Sequence, residues 1–204
     1  MGMNVLNLGI IPSPLTPIIT ASGCQVIEYS DEIDLFFLKN NSIDFIVSYR
    51  YKHVIRKKVI SYLPQKIINL HISLLPWNKG ADPNLWSLLE DTPKGVSIHY
   101  IDDGIDTGDI IFQKELFFDV ENDTLASSYK KLNDEILELF KIKWSLIKEG
   151  KVKSFKQSKG GSFHLSSDKI KFEFLLANNH YDTYIKNLIR KANNGKAGIG
   201  KNEF

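Results

Sequence analysis

Short apolar runs alternate with longer amphipathic stretches over the first two-thirds of the chain, the pattern of a parallel sheet whose strands are joined by crossover helices. Val5 to Ile11 predicts a first strand, stopped by Pro12, Pro14 and Pro17, and Cys24 to Tyr29 a second. Ser30 can cap a following helix whose first turn sets Asp31 and Glu32 against the dipole. Asp44 to Ser48 is a third strand and residues 53–62 a short helix. Lys66 to Leu70 predicts a fourth strand, so closely apolar that it belongs near the middle of the sheet. Residues 82–91 read as helical. Gly95 to Ile101 alternates, with Val96, Ile98 and Tyr100 on one face, and Asp109 to Phe117 returns as another strand.

The strongest helical pattern covers 123–149, where Leu125, Tyr129, Leu132, Ile136, Leu139, Phe140, Trp144 and Ile147 recur three or four apart and Gly150 closes the run. A long helix over one face of the sheet is expected there. Beyond it, Gly160-Gly161 precedes β-like runs at 162–165 and 170–174, read as a hairpin around 166–169, and Tyr181 to Ala192 reads as a last helix. Asn193 to Phe204, rich in Gly, Asn and Lys, is expected to fray. The expected class is α/β, a mostly parallel sheet with flanking helices and a small C-terminal extension of hairpin and helix.

The 204 residues fit one domain with a small appendage, and 43% apolar, 11% aromatic and 25% charged residues exclude a wholly disordered, collagenous or coiled-coil chain. No apolar run approaches the roughly 18–20 residues of a membrane span. The first Lys or Arg is Lys39, so the start lacks the basic region of a secretion signal, and Leu6 breaks the myristoylation pattern. A cytoplasmic location without membrane insertion is expected. Cys24 stands alone, which excludes an internal disulfide and any multi-cysteine metal site.

The net charge of +2 conceals an asymmetry: residues 1–147 carry 14 Lys/Arg against 19 Asp/Glu, a balance of −5, and 148–204 carry 12 against 5, a balance of +7. The run Lys148, Lys151, Lys153, Lys156, Lys159 reads as a solvated surface rather than a nucleic-acid path. Residues 195–202 follow a phosphate-loop pattern up to Asn202, which stands where Ser or Thr is needed, and neither a strand before nor a helix after supports that reading. Asp102, Asp103, Asp106 and Asp109 fail a calcium-loop template, because Gly104 occupies a ligand position. His53, His99, His164 and His180 lack zinc-ligand spacing and read as surface or satisfied core histidines, so no metal is expected.

Chemistry concentrates at Asn69-Leu70-His71, the carboxyl end of the fourth strand, where the loops of an open α/β sheet converge on ligand. Alternation sends residues 69 and 71 to one face, so an amide and an imidazole meet in one pocket. An amide donates to a developing oxyanion and an imidazole accepts a proton near neutral pH. A carboxylate to orient the ring is available 35 residues on, at Asp106, in a loop that Gly104 and Gly108 allow to fold back. Taken singly, Asn69 caps a turn, His71 is a satisfied strand-end histidine and Asp106 shapes a bend.

The residues between them add a resemblance. Asn69-Leu70-His71-Ile72-Ser73-Leu74-Leu75-Pro76 followed by Gly80 resembles the Asn-x-His-x-Ser-x-Leu-Pro-x-x-x-Gly signature of the formyltetrahydrofolate-dependent formyltransferases, and Gly104-Ile105-Asp106-Thr107-Gly108 resembles that family's Gly-x-Asp-x-Gly loop. The likeness extends over residues 1–150, implying a Rossmann-like formyltransferase domain there and an extension at 151–204. It implies Asn69, His71 and Asp106 as the catalytic trio, 10-formyltetrahydrofolate as co-substrate and a primary amine as acceptor, without a metal. It also implies a pterin beside the 102–108 loop, with Asp102, Gly104, Ile105 and Gly108 there, Thr107 and Asp109 supporting the loop, and an apolar wall from Ile46 to Val54. Tyr49, Arg50, Tyr51 and Lys52 form a basic and aromatic cluster beside that wall.

Three acceptor classes occur in such a family. Methionyl-tRNA formyltransferases carry a further nucleic-acid-binding barrel, and with 54 residues after 150 tRNA is not the expected acceptor. Glycinamide ribonucleotide formyltransferase is the alternative, and a catalytically silent folate-binding module is the non-enzymatic one. Residues 77–84 are most similar to the sugar N-formyltransferases, which act on 3-amino- or 4-amino-deoxysugars carried on a nucleotide for surface polysaccharides such as O-antigen. Lys79 suits a diphosphate, Trp77 a flat or hexose surface, Asn78 and Asn84 hydroxyls, and Gly80 and Ser13 the same pocket, while Trp86 fits the core. The sugar enzymes pair through C-terminal elements, so the 162–174 hairpin is expected to serve a homodimer.

Overall fold

A computed structural model describes residues 2–176, 180–190 and 192. In chain order the elements are β1 (Asn4–Gly9), α1 (Thr16–Ala21), β2 (Gln25–Tyr29), α2 (Leu35–Asn40), β3 (Phe45–Tyr49), α3 (Lys57–Tyr62), β4 (Ile67–His71), β5 (Lys79–Gly80), α4 (Pro83–Leu89), β6 (Gly95–Tyr100), β7 (Ile110–Glu115), α5 (Leu125–Lys148) and β8 (Phe163–His164). Six strands form one sheet in the order β2-β1-β3-β4-β6-β7. The first four are parallel, and β6 and β7 continue the sheet antiparallel. The expected α/β class holds, with β4 in the interior of the sheet.

The strands are apolar on both faces because both are covered. Val5, Phe45, Val47, Ile68, Leu70, Val96 and Ile98 pack with Leu15, Ile19 and the Leu132, Ile136, Phe140, Trp144, Ile147 stripe of α5. Thr124 accepts from the Ser127 N–H and Ser127 accepts from the Thr124 N–H, a reciprocal cap that starts α5. On the opposite face Leu6, Leu8, Ile46 and Ile67 pack with Leu38 of α2 and Val59 of α3. These helices have six residues each, about 9 Å of length, and their cluster contains no residue of β6. No helix therefore covers that face over β6 and the end of β4, where loops cover it instead.

Several expectations needed correction. A helix follows β1, because Pro17 falls in its first turn, where a missing N–H costs nothing. The helix expected from Ser30 starts at Leu35 instead, capped by Asp34, which accepts from the Phe37 N–H at 2.8 Å. No hairpin forms over 162–174: β8 pairs in parallel with the distant β5, and Asp168 accepts from the Leu165 N–H at 2.8 Å to start a 3-10 turn over Ser166–Leu176. A two-stranded ribbon of that size is marginal alone, and the first run found a long-range partner. The last helix begins at 185, where Ile185 donates to the Asp123 carbonyl and, with Leu188, packs on Leu85, Leu88 and Leu125. Residues 193–204, the frayed tail and phosphate-loop pattern of the sequence, lie outside the described residues. Among the described residues no helix is long and apolar enough to cross a membrane.

Candidate active site

The part of this face without a helix carries a row of polar side chains. Register pairs Asn69 with His99 and His71 with Ser97 across β4 and β6, so all four share the face opposite Ile68, Leu70, Val96 and Ile98. Ser97 donates to the Ser73 carbonyl at 2.7 Å and accepts from the Leu75 N–H at 3.1 Å, fixing the chain where it leaves β4. The turn between β6 and β7 folds over this row and inserts Asp106, held at φ 53°.

Asp106 is the hub. Its Oδ1 accepts from Asn69 Nδ2 at 3.0 Å and lies 3.3 Å from His99 Nε2; its Oδ2 accepts from the Gly80 N–H at 2.9 Å and lies 3.6 Å from His71 Nδ1. Burial by itself would raise this carboxyl, but the His71 charge, the hydrogen bond and charge of His99 and the Gly80 N–H outweigh it and hold the group well below the usual carboxylate range. Asp106 is a carboxylate throughout the physiological range. His71 Nε2 lies 3.0 Å from the Asn78 carbonyl, a pure acceptor, so Nε2 donates there and the ring is turned with Nδ1 toward Asp106. His99 Nδ1 is fixed in the same way by the Tyr100 carbonyl at 2.7 Å.

A cavity of about 700 Å³ opens onto this cluster. One flank is residues 48–55 with Ile101, Asp102 and 104–106; the other is 80–83 with 163–166. Asn69, His71 and His99 form the floor between them. Val54 and Ile105 are exposed apolar side chains of the first flank, and His53 Nε2, also in that wall, is buried with no hydrogen-bond partner. Among the described residues, no group of three or more His, Cys, Asp or Glu could hold a metal ion.

The sequence-based candidates divide clearly. Asn69, His71 and Asp106 meet, as expected from their loops and strand parity. Arg50, Tyr51, Asp102, Gly104, Ile105 and Gly80 line the cavity. Tyr49 borders it, but its ring lies in the core beneath α5, its hydroxyl donates to Asn133 at 2.6 Å, and burial pushes that hydroxyl up to about 12. Tyr51 donates to the Asp31 carbonyl at 2.6 Å. Gly108 and Thr107 support the loop: a Cβ at 108 would meet the Tyr100 carbonyl at 1.9 Å, and Thr107 donates to Asp102.

The acceptor candidates fare differently. Asn84 is a core residue, 4% exposed, donating to the Leu125 carbonyl and Ser128 at 3.0 Å each. Asn78 is wholly buried; Thr92 donates to its side chain and its carbonyl holds His71. Ser13 is buried, and its N–H donates to Glu28 rather than facing the cavity. Trp77 and Lys79 lie outside the cavity lining, and the main chain of Lys79 pairs with the 162–163 segment. Trp86 is in the core, as expected, stacked on His164 at 3.8 Å between ring centroids.

Sequence reasoning missed His99, whose signal was available: two polar residues, Ser97 and His99, alternate with Val96 and Ile98 in a buried strand. Phe163, His164 and Leu165 in the cavity wall had no local signal, because only the pairing of β8 with β5 brings them there.

The chain matches the family described as formyl transferase over residues 17–140. Methionyl-tRNA formyltransferase of Fusobacterium nucleatum is 34% identical over 151 residues, covering 72% of this chain and 48% of that protein. The chain thus spans about half the length, or less, of the curated relatives it matches. The crystal structure of the formyltransferase PseJ from Anoxybacillus kamchatkensis, in complex with UDP-4,6-dideoxy-4-formamido-L-AltNAc and tetrahydrofolate, is 46% identical with a TM-score of 0.87, covering 93% of this chain and 99% of that one. A 4-N formyltransferase from Francisella tularensis shares the fold, at a TM-score of 0.73 and 21% identity over 93% of this chain and 87% of that one.

Proposed function

This chain belongs to the formyl transferase family, and on that premise we propose that it moves a formyl group from 10-formyltetrahydrofolate to the 4-amino group of a UDP-linked 4-amino-4,6-dideoxy sugar. One observation carries the choice of acceptor: the 46% identity to PseJ over 99% of that chain, in a structure that holds a UDP-linked 4-formamido sugar with tetrahydrofolate. The Asn69–His71–Asp106 cluster at the floor of a cavity with two distinct flanks supports the reaction class. The flank of residues 48–55 and 101–106 suits the folate: it is apolar at Val54 and Ile105 and offers the unpartnered His53 Nε2. The flank of residues 80–83 and 163–166 is left for the acceptor.

When bound, the folate supplies the activated formyl carbonyl. The chain's own residues then have separable tasks. Asn69 Nδ2 spends one N–H on Asp106 and offers the other, 3.3 Å from His99 Nε2, where oxygen charge develops as the amine adds. His71, its Nε2–H anchored on the Asn78 carbonyl, offers Nδ1 to take the proton that the amine must lose. Asp106, 3.6 Å from Nδ1, stabilises the ring in its charged form and keeps it turned. His99 and the Gly80 N–H hold Asp106 from two other sides.

The test offers the UDP-linked 4-amino sugar, its dTDP-linked counterpart, glycinamide ribonucleotide and methionyl-tRNA separately with 10-formyltetrahydrofolate, and follows tetrahydrofolate release. Turnover with the UDP-linked sugar at least a hundredfold above the others is expected. Turnover with the ribonucleotide or the tRNA alone overturns the acceptor assignment, and folate binding without product from any amine overturns the enzymatic one.

A further inference from the structure

The polypeptide beyond α5, outside the stretch that matches the family, reaches the back of the catalytic turn. Ile110, at the start of β7, exchanges both main-chain hydrogen bonds with Phe155, at 2.8 and 3.0 Å. This antiparallel bridge delivers Gln157 to the Asp106 loop. Gln157 Nε2 donates to the Asp106 carbonyl at 2.7 Å and to the Gly108 carbonyl at 3.0 Å, while its Oε1 is buried with no hydrogen-bond partner. One amide therefore uses both protons to bridge the two carbonyls that flank Thr107.

The need for such a clamp follows from the loop itself. Asp106 sits in the left-handed region, which aspartate tolerates but does not prefer. The side-chain bonds internal to the turn come from Asp102, to the Gly104 N–H and the Thr107 hydroxyl, and neither reaches the residue-106 carbonyl. A peptide plane free to rock at 106 would swing the carboxylate relative to His71 and Asn69. The 3.6 Å separation from His71 Nδ1 makes that direction consequential, since a misplacement near 1 Å costs on the order of a hundredfold in rate.

We propose that Gln157 is a positioning residue for the transfer reaction: by clamping the carbonyls of Asp106 and Gly108 from the far side of the turn, it aims the Asp106 carboxylate at His71, Asn69 and the Gly80 N–H. The residue touches neither substrate nor the reacting atoms. Its turnover readout rests on the formyl-transfer reading above; its exchange readout does not.

Gln157→Met keeps the length of the side chain without a donor, and Gln157→Glu puts an acceptor against two acceptors. In both, kcat is expected to fall at least fivefold with KM for folate and acceptor held within threefold, and Gln157→Glu should fall further. Independently of turnover, amide hydrogen exchange at Gly80, whose N–H donates to Asp106 Oδ2 at 2.9 Å, should quicken at least fivefold in Gln157→Met while Val5 and Ile46 keep wild-type protection. A smaller loss in kcat, a change carried by KM, unaltered exchange at Gly80, or loss of protection throughout the sheet each overturns the proposal. Wild-type protein inactive on every amine refutes the formyl-transfer reading instead, and the exchange measurement then decides the role of Gln157 alone.

Discussion

Asp106→Asn isolates the charge of the hub while keeping its shape. The carboxylate accepts from Asn69 Nδ2 on one oxygen and from the Gly80 N–H on the other. An amide has one acceptor and one donor end, so in either orientation its NH2 meets another donor, Asn69 in the first and Gly80 in the second. One charge-assisted hydrogen bond is lost and one buried donor is left facing a donor, a cost of about 2–3 kcal/mol at pH 7. For a chain of this size that is a fall in Tm of roughly 4–12 °C. The sign with pH is fixed: the folded Asp106 carboxyl is held low, so its stabilisation is fully present above the unfolded value near 3.9 and is lost as pH falls toward the folded one. The gap between wild type and Asp106→Asn should therefore narrow by about 0.7 kcal/mol between pH 7 and pH 3.5. Urea unfolding at the two pH values measures it, and kcat with the preferred acceptor should drop on the order of a hundredfold or more. Equal stability at pH 7, or a gap that widens in acid, would refute the assignment of Asp106 as a buried, multiply paired carboxylate.

Three further outcomes separate the site from its scaffold. His71→Ala should lower kcat by a factor of about 10² to 10⁴ while tetrahydrofolate affinity by calorimetry stays within threefold, since the ring moves a proton rather than holding the pterin. Gly80→Ala should reduce activity and cost about 1–3 kcal/mol in urea, because φ is +86° and the new Cβ would sit 2.3 Å from the His164 carbonyl. Asn84→Ala should cost about 1–3 kcal/mol through the lost bonds to Leu125 and Ser128 yet leave KM for the acceptor within twofold; a KM effect without destabilisation would restore Asn84 to the acceptor site.

Elements with a face to bury were legible in the sequence, and elements fixed by a distant partner were not. α5 carries its period in Leu132, Ile136, Phe140 and Trp144, so its extent came within two residues at each end. β1, β3 and β4 are runs of Val, Ile and Leu whose only economical place is a covered parallel sheet. Pro14 and Pro17 hid α1, because proline breaks a helix anywhere except its first turn, and only the fold reveals which turn it occupies. Residues 162–165 have strand-like composition whatever they pair with; that β8 joins β5 depends on where α5 ends and the chain turns back.

The same division runs through the site. Asn69 and His71 were readable because strand parity is local: two residues apart on one strand is one face. Asp106 came from its glycine-flanked bend. Asn78 and Asn84 could not be placed from sequence because an amide beside a site and an amide in the core have the same composition; Asn84 falls in α4, every residue of which is buried, and Asn78 is turned inward by Thr92 and Ser162. His99 and Gln157 illustrate two degrees of hiddenness. For His99 the clue is parity within β6, needing only the β4–β6 register to become a statement about Asn69. Gln157 has no clue in its neighbourhood, since its two acceptors are main-chain carbonyls 49 and 51 positions away. A side chain that acts on backbone leaves no complementary residue type to find, so a catalytic carboxylate can be read from its motif while the amide that aims it is visible only in the folded chain.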